Sequence, residues 1–124
     1  MPHSISFSSQ SHIITITYLG EVDLDERIAA VEKVCEDICV GMAVKILVDV
    51  SVINNTMSHQ EQAYFGQYLA DKAELKNAKV AVLSKDISHN PNMIINNTAY
   101  LEGYHLVPFA SKTEAIYWLD GCFD

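Results

Sequence analysis

The segment from Val44 to Val50 constrains the fold more than any other stretch of this chain. If the segment is extended, Val44, Ile46 and Val48 lie on one face and Leu47 lies on the other. A strand with apolar residues on both faces is typical of the centre of a sheet, where both faces are covered. The pattern therefore predicts a buried central strand, with the rest of the chain arranged around it.

An antiparallel hairpin is predicted before this strand. Residues 4 to 8 alternate serine with apolar residues, and residues 12 to 19 alternate again, with Thr15 and Thr17 on the polar side. Period-two alternation indicates a half-buried strand, and the short link between the two segments favours antiparallel pairing. The polar side indicates that one face of the sheet is partly open near this edge.

Two further strands are predicted after the central one. They cover Lys79 to Leu83 and His105 to Phe109. Pro108 has no backbone N–H to give to a sheet, so the last strand is expected at an edge.

Four helices separate or follow these strands, and each begins at a recognisable cap. Ser58 and Ser111 each precede a glutamate by three residues, which is the capping-box spacing. The predicted starts are Asp23 (with Glu26), Ser58, Asn90-Pro91 and Ser111, and the predicted ends of the first three helices are Gly41, about Lys76 and Gly103.

The predicted element order is β-β-α-β-α-β-α-β-α. Strands that alternate with helices form right-handed crossovers and hence a parallel sheet. We therefore expect a single α/β domain over residues 1–124, with a mostly parallel five-stranded sheet, an N-terminal antiparallel hairpin and four helices.

Charge restricts the kinds of partner. Sixteen acidic and eight basic residues give a net charge of -8. Nucleic acids and anionic membrane surfaces attract clustered Lys and Arg, so neither is expected as an electrostatic partner. The simplest role of this charge is to keep the protein in solution.

The cysteines indicate a reducing compartment. The chain has three, Cys35, Cys39 and Cys122, and the N-terminal residues show no basic and apolar pattern of a secretory signal. We therefore expect a cytoplasmic protein. Cys35 and Cys39 lie one helical turn apart, but no second pair of ligands accompanies them, so we expect neither a metal site nor a cofactor.

No motif in the sequence indicates catalysis. The five histidines are scattered, and neither a nucleophile elbow nor a glycine-rich phosphate loop is present. We therefore expect no enzyme activity. Asp49 lies near the predicted end of the central strand, at the rim of the sheet where open α/β domains bind ligands. We favour a structural interpretation, in which Asp49 accepts hydrogen bonds from the backbone amides of Val52 to Asn54.

The order of several segments resembles a known superfamily. These are Leu19-Gly20 followed by acids, V-K-I-L-V-D-V, K-V-A-V-L and the closing G-Y-H-L-V-P-F-A-S-K-T-E-A-I-Y-W-L. From about Ile5 to Leu119 the chain resembles the STAS-like, or SpoIIAA-like, superfamily, and most of all its bacterial branch of STAS/SEC14 type.

One part of that superfamily consists of antagonists of anti-sigma factors. They carry a D-S-S-G-like motif in which a partner kinase phosphorylates a serine at a helix N-terminus. This chain has N-N-T-M-S-H there, with Thr56 and Ser58 as the candidate phosphoacceptors. The double serine and the glycine are missing, and Ser58 fits a helix cap with Glu61, so we favour the cap.

The other part is similar to lipid-carrier folds. The resemblance implies a small nonpolar ligand between mobile helices and the sheet, and a homodimer. Transient membrane contact is a further partner hypothesis. The second and third helices carry wide apolar stripes, which have three interpretations: core residues with scattered surface aromatics, a ligand groove or a dimer face. The ligand-binding hypothesis names Tyr64, Phe65, Tyr68, Leu69, Met93, Ile94 and Ile95, with Gly66 at a close helix approach.

The sequence thus supports two hypotheses of function. The first is a non-catalytic domain that binds a small nonpolar or lipid-like ligand. The alternative is a regulatory module of the anti-sigma-antagonist type, with a protein partner and a Ser/Thr phosphorylation switch.

Overall fold

The computed structural model describes residues 3–8, 12–36, 44–55, 57–85, 93–104 and 106–120. The strands within these ranges are β1 (His3–Phe7), β2 (Ile13–Val22), β3 (Lys45–Asn55), β4 (Lys79–Leu83) and β5 (Leu106–Phe109). The α-helices are α1 (Leu24–Cys35), α2 (His59–Asp71), α3 (Met93–Leu101) and α4 (Lys112–Leu119), and a short 3-10 turn, Ala73–Leu75, follows α2.

The strands form one sheet in the order β1-β2-β3-β4-β5. β1 is antiparallel to β2, and the other neighbouring strands are parallel. This arrangement confirms the predicted fold class. It also places β3, the strand with apolar residues on both faces, in the middle of the sheet.

The helices are divided unequally between the two faces of the sheet. From β2 to β5, each strand lies next to the preceding one and further along the sheet in the same direction. Right-handed crossovers between these parallel strands therefore place α1, α2 and α3 on one face of the sheet. Ala30, Phe65 and Ile95 from these helices share a buried cluster with the sheet. On the opposite face, α4 buries Ala115 and Leu119 against β2, β3 and β4.

β3 is longer than the sequence pattern indicated. The predicted strand ended at Val50, whereas the observed one continues to Asn55 through an irregularity in its pairing with β2. Thr17 pairs with Asp49 and Leu19 pairs with Val52, so two residues of β3 stand opposite Tyr18. This is the geometry of a β-bulge, which lets a strand continue past a break in its alternation.

Asp49 belongs to that bulge, and its interpretation is corrected accordingly. Its Oδ1 accepts hydrogen bonds from the backbone N–H of Ser51 (2.9 Å) and from the Ser51 hydroxyl (2.6 Å). The expected acceptance of amides from Val52 to Asn54 was wrong because the chain there is still a strand. Asp49 therefore stabilises the bulge.

Helix caps follow the sequence signals where the structure describes them. Ser58 Oγ accepts from the N–H of Glu61 (3.1 Å), and the Glu61 carboxylate accepts from the N–H of Ser58 (3.0 Å), which is a complete capping box. Asp23 and Ser111 cap α1 and α4 in the same way through their side chains. The predicted signals at Gly41 and Asn90-Pro91 lie outside the described residues.

The end of α2 differs from the prediction. The helix stops at Asp71 rather than near Lys76, because Lys72 adopts an extended conformation and a 3-10 turn follows. That turn buries Leu75 under the helices. The apolar pattern continued to Leu75, but its continuation belongs to the turn.

α2 and α3 approach each other closely at Gly66. A Cβ atom on Gly66 would lie 2.7 Å from the carbonyl oxygen of Ile95 and 2.9 Å from the Cβ of Thr98. No side chain fits at such distances without movement of the α3 backbone. The expectation that Gly66 marks a close helix approach is confirmed.

Candidate ligand-binding cavity

An apolar cavity lies between the helices and the sheet. Its volume is about 40 Å³. The floor comes from β2, β3, β4 and β5, and the roof comes from α1 and α2, with Leu75 and Tyr104 from the connections. The lining residues are Ile16, Tyr18, Arg27, Val31, Val34, Ile46, Val48, Phe65, Leu69, Leu75, Val80, Val82, Tyr104 and Leu106.

The polar side chains of this lining are few and contain no carboxylate. They are Tyr18, Arg27 and Tyr104. Apolar pockets with a small number of placed polar groups are typical of small-molecule sites. The cavity therefore combines a nonpolar interior with one formal positive charge, in a protein whose net charge is -8.

Arg27 provides that charge from α1. Its side chain is only 2% exposed, and its guanidinium lies 4.7 Å from the centre of the Tyr18 ring and 4.9 Å from that of Phe65. Burial lowers the pKa of Arg27, and the Tyr18 hydroxyl acts in the opposite direction. An arginine nevertheless stays protonated in proteins, so the two rings hold a buried cation.

The position of Arg27 follows from the helical period. Leu24, Arg27, Val31 and Val34 recur at intervals of three and four residues, so they form one stripe of α1. Arg27 was not among the site residues predicted from the sequence. A cation among apolar residues on the inner stripe was the signal that could have identified it.

Tyr104 enters the cavity from the end of α3. Gly103 adopts a positive φ of 85°, and the N–H of Tyr104 donates to the carbonyl of Ala99 while that of Gly103 donates to Tyr100. These bonds form a Schellman cap, which confirms Gly103 as the end of the helix. The cap fixes the backbone of Tyr104 where the chain turns down towards β5.

The hydroxyl of Tyr104 is buried without a hydrogen-bond partner among the described residues. The side chain is 8% exposed, and burial raises the pKa of its hydroxyl, with a further contribution from the Cys35 thiol. A buried hydroxyl without a partner costs about 1–3 kcal/mol. A polar atom inside the cavity would remove that cost.

An interhelical triad, Glu32, Tyr68 and Lys72, joins α1 to the end of α2 beside the cavity. The Tyr68 hydroxyl and the Lys72 ammonium (2.8 Å) both donate to the Glu32 carboxylate. These bonds lower the pKa of Glu32 and raise that of Lys72, whereas burial and the Glu32 bond raise the pKa of Tyr68 to about 12. Glu32 is exposed, whereas Tyr68 and Lys72 are half-buried, so each contact of the triad is weak.

The structure brings only some of the proposed ligand-binding residues to this cavity. Phe65 and Leu69 line it, and Tyr68 stacks on Phe65 with ring centres 6.0 Å apart. The others lie elsewhere: Tyr64 is 57% exposed, Met93 is 42% exposed, Ile94 is half-buried, and Ile95 is fully buried beside Gly66.

The expected ligand groove on α2 and α3 is therefore not where the space lies. α2 and α3 pack backbone to backbone at Gly66, and the space that the structure provides lies on the sheet side of α2. Periodicity identified α2 correctly as a helix with a wide apolar surface. Periodicity could not indicate whether the space lies between α2 and α3 or between α2 and the sheet.

Neither of the candidate phosphoacceptors is among the residues that line the cavity. Ser58 is exposed at the N-terminus of α2, where its hydroxyl already accepts the Glu61 N–H. Thr56 lies outside the described residues.

Two other classes of feature have no counterpart in the part of the chain that the structure describes. Within it, no group of three or more His, Cys, Asp or Glu side chains could hold a metal ion. None of the described helices is long and apolar enough to cross a membrane.

Cys35 is buried, and burial raises the pKa of its thiol.

Comparison with known proteins identifies the fold. No family model matches the chain, and no curated protein matches it in sequence. The chain is similar to the solved structure of an uncharacterised protein of the DUF3478 family from Shewanella loihica, which is described as having a SpoIIAA-like fold. The TM-score is 0.60 at 15% identity, over 94% of this chain and 91% of that one. The likeness shows a SpoIIAA-like fold.

Proposed function

We propose that this SpoIIAA-like domain is a non-catalytic binding protein for a small nonpolar or lipid-like ligand. The observation that supports the proposal is the apolar cavity between α1, α2 and the sheet. Native interiors rarely leave spaces larger than a water molecule. A space among branched apolar side chains is poorly suited to water and well suited to apolar atoms.

The size of the cavity limits what it holds in this conformation. A volume of about 40 Å³ admits only a few heavy atoms. A longer chain requires α1 to separate from α2. The interhelical triad is a polar connection that such a separation would break, and contacts to an exposed carboxylate such as that of Glu32 are weak.

Native mass spectrometry tests this proposal. Protein purified from its own host is expected to carry a nonpolar adduct, or to take one up from a lipid extract. Val34→Leu fills part of the cavity and should reduce uptake, whereas Val107→Leu makes the same chemical change in β5, outside the lining. An unliganded mass in every sample would contradict the proposal.

A homodimer is part of the same proposal. Tyr64, Tyr100 and Leu101 are exposed apolar side chains on α2 and α3, and Leu101 is 83% exposed. Aromatic and apolar residues are enriched at the centres of protein interfaces. Sedimentation equilibrium of the wild type and of Leu101→Glu is expected to show a dimer and a monomer, respectively.

The alternative function is a regulatory module that binds a protein partner. The supporting observation is that Ser58 is exposed at the N-terminus of α2, where the helix dipole would stabilise a phosphate. Under this alternative, a pull-down from the host recovers a kinase that modifies Ser58 or Thr56 in an ATP-dependent reaction. Recovery of a nonpolar adduct with no such kinase favours the first function.

A further inference from the structure

Tyr104 gives the cavity a feature that a pure hydrocarbon ligand would not use. Its side chain lines the cavity and is 8% exposed, and its hydroxyl has no hydrogen-bond partner among the described residues. A buried hydroxyl without a partner is costly, and phenylalanine would fill the same space without that cost. A hydroxyl retained in the wall of a cavity therefore points to an occupant that bonds to it.

The cation in the same wall is already engaged by the protein. The guanidinium of Arg27 lies against the rings of Tyr18 and Phe65, and Arg27 has at least one further interaction within the chain. An anionic ligand is therefore not needed to compensate this charge. Tyr104, rather than Arg27, is the polar contact that the cavity offers an occupant.

The side chain of Tyr104 extends from the end of α3 towards the end of α1. Tyr104 and Cys35 belong to the same buried cluster. Burial makes the largest contribution to the raised pKa of the Tyr104 hydroxyl, and the nearby Cys35 thiol raises it further. Val34, the residue before Cys35, lines the cavity. The hydroxyl is therefore directed into the layer between the helices and the sheet rather than towards solvent.

The chemistry of this hydroxyl restricts the occupant. Because burial raises its pKa, the group is a neutral phenol at pH 7, and a phenol donates one hydrogen bond. A carbonyl oxygen accepts that bond and brings no donor of its own, whereas an alcohol would bury a second O–H. A charged group would be far more costly to bury among aliphatic side chains such as Val34, Leu75 and Leu106.

A water molecule fits the same position less well. Buried waters typically make about three hydrogen bonds, and the described lining is aliphatic or aromatic apart from Arg27 and the two tyrosine hydroxyls. An apolar molecule with a single acceptor atom matches both parts of the wall. Its oxygen would meet Tyr104, and its hydrocarbon part would contact the aliphatic side chains.

We propose that the ligand is a neutral, mostly hydrocarbon molecule with one carbonyl oxygen that accepts a hydrogen bond from the Tyr104 hydroxyl. This inference rests on the proposed function and specifies the class of ligand. Tyr104 is then a specificity-determining residue, since it distinguishes a ketone from a hydrocarbon of the same shape.

Titration of the full chain with matched probes, followed by the amide signals in NMR spectra, tests the inference. The probes are acetone and cyclopentanone, each paired with the alkene in which a CH2 group replaces the oxygen, 2-methylpropene and methylenecyclopentane. Comparison of Tyr104→Phe with the wild type isolates the hydrogen bond, because desolvation of the ketone is the same in both proteins. The variant is expected to bind the ketones about tenfold more weakly and the alkenes equally well.

The outcomes separate the inference from the proposed function. If the alkenes bind and the ketones either fail to bind or bind Tyr104→Phe as tightly as the wild type, the carbonyl assignment is overturned and the proposed function stands. An equal loss for ketones and alkenes overturns the assignment too. If no probe binds the wild type, both fail. Tyr64→Phe makes the same change at an exposed residue outside the lining and should alter neither affinity.

Unfolding of the protein without any probe is a second test. If the Tyr104 hydroxyl has no partner in the protein, Tyr104→Phe should not lower the midpoint of urea unfolding, because no hydrogen bond is lost and no orphaned group remains. A lower midpoint would show that the hydroxyl already bonds within the chain, and it would overturn the inference without reference to any ligand.

Discussion

The carbonyl oxygen of Ile95 occupies the space where a side chain on Gly66 would begin. The separation to a Cβ atom would be 2.7 Å, which is shorter than any ordinary contact. This approach ties α3 to α2 and closes the boundary between them. The cavity consequently lies on the other side of α2, against the sheet.

Gly66→Ala should therefore lower the free energy of unfolding. Alanine favours a helix by about 1 kcal/mol relative to glycine, but overpacking costs about 1–3 kcal/mol and here requires movement of the α3 backbone. Urea unfolding measures the net loss. Ala63→Gly, at a residue of the same helix outside both buried clusters, is the control for helix propensity; if Gly66→Ala raises stability by the amount that Ala63→Gly lowers it, the close approach is not limiting.

Ser58→Ala is expected to lower the free energy of unfolding by about 1 kcal/mol, because the N–H of Glu61 loses its acceptor. Ser58→Asp supplies another acceptor at the helix N-terminus and should retain most of the stability. Thermal unfolding of the two variants provides the comparison. Equal losses in both would show that the cap contributes little.

The interhelical triad predicts how stability depends on pH. Hydrogen bonds from Lys72 and Tyr68 lower the pKa of Glu32 in the folded protein. The corresponding stabilisation is present above the unfolded pKa of about 4.3 and is lost as the pH falls through the folded value. Glu32→Gln should flatten this part of the stability profile. High salt should weaken the same effect in the wild type, since the Glu32 carboxylate is exposed to solvent.

Leu69→Ala and Leu119→Ala should each lower the free energy of unfolding by about 2–5 kcal/mol, since both side chains are buried. Of the two, Leu69 lines the cavity, whereas Leu119 belongs to α4 and packs against the opposite face of the sheet. Ligand uptake, followed by native mass spectrometry at matched stability, should therefore change in Leu69→Ala alone. A parallel change in Leu119→Ala would mean that uptake follows global stability instead.

The fold was predicted from local sequence patterns. Alternation in β1 and β2, the two-faced apolar run in β3 and the serine caps of α2 and α4 each depend on residues close together in sequence. The predicted end of β3 and the predicted donors to Asp49 were wrong because both depended on pairing between strands. The bulge opposite Tyr18 kept β3 extended to Asn55, because contacts with β2 outweighed the polar, turn-like composition of that segment.

The candidate site shows the same division. The sequence by itself determined that α2 has a wide apolar surface, that Gly66 marks a close approach and that Ser58 caps a helix. Only the tertiary structure decided that Arg27 and Tyr104, far apart in the chain, line one cavity, and that the space lies under α2 rather than beside it. Helical periodicity gives the direction of a side chain about its own axis, but a cavity depends on how completely other elements fill the space it faces.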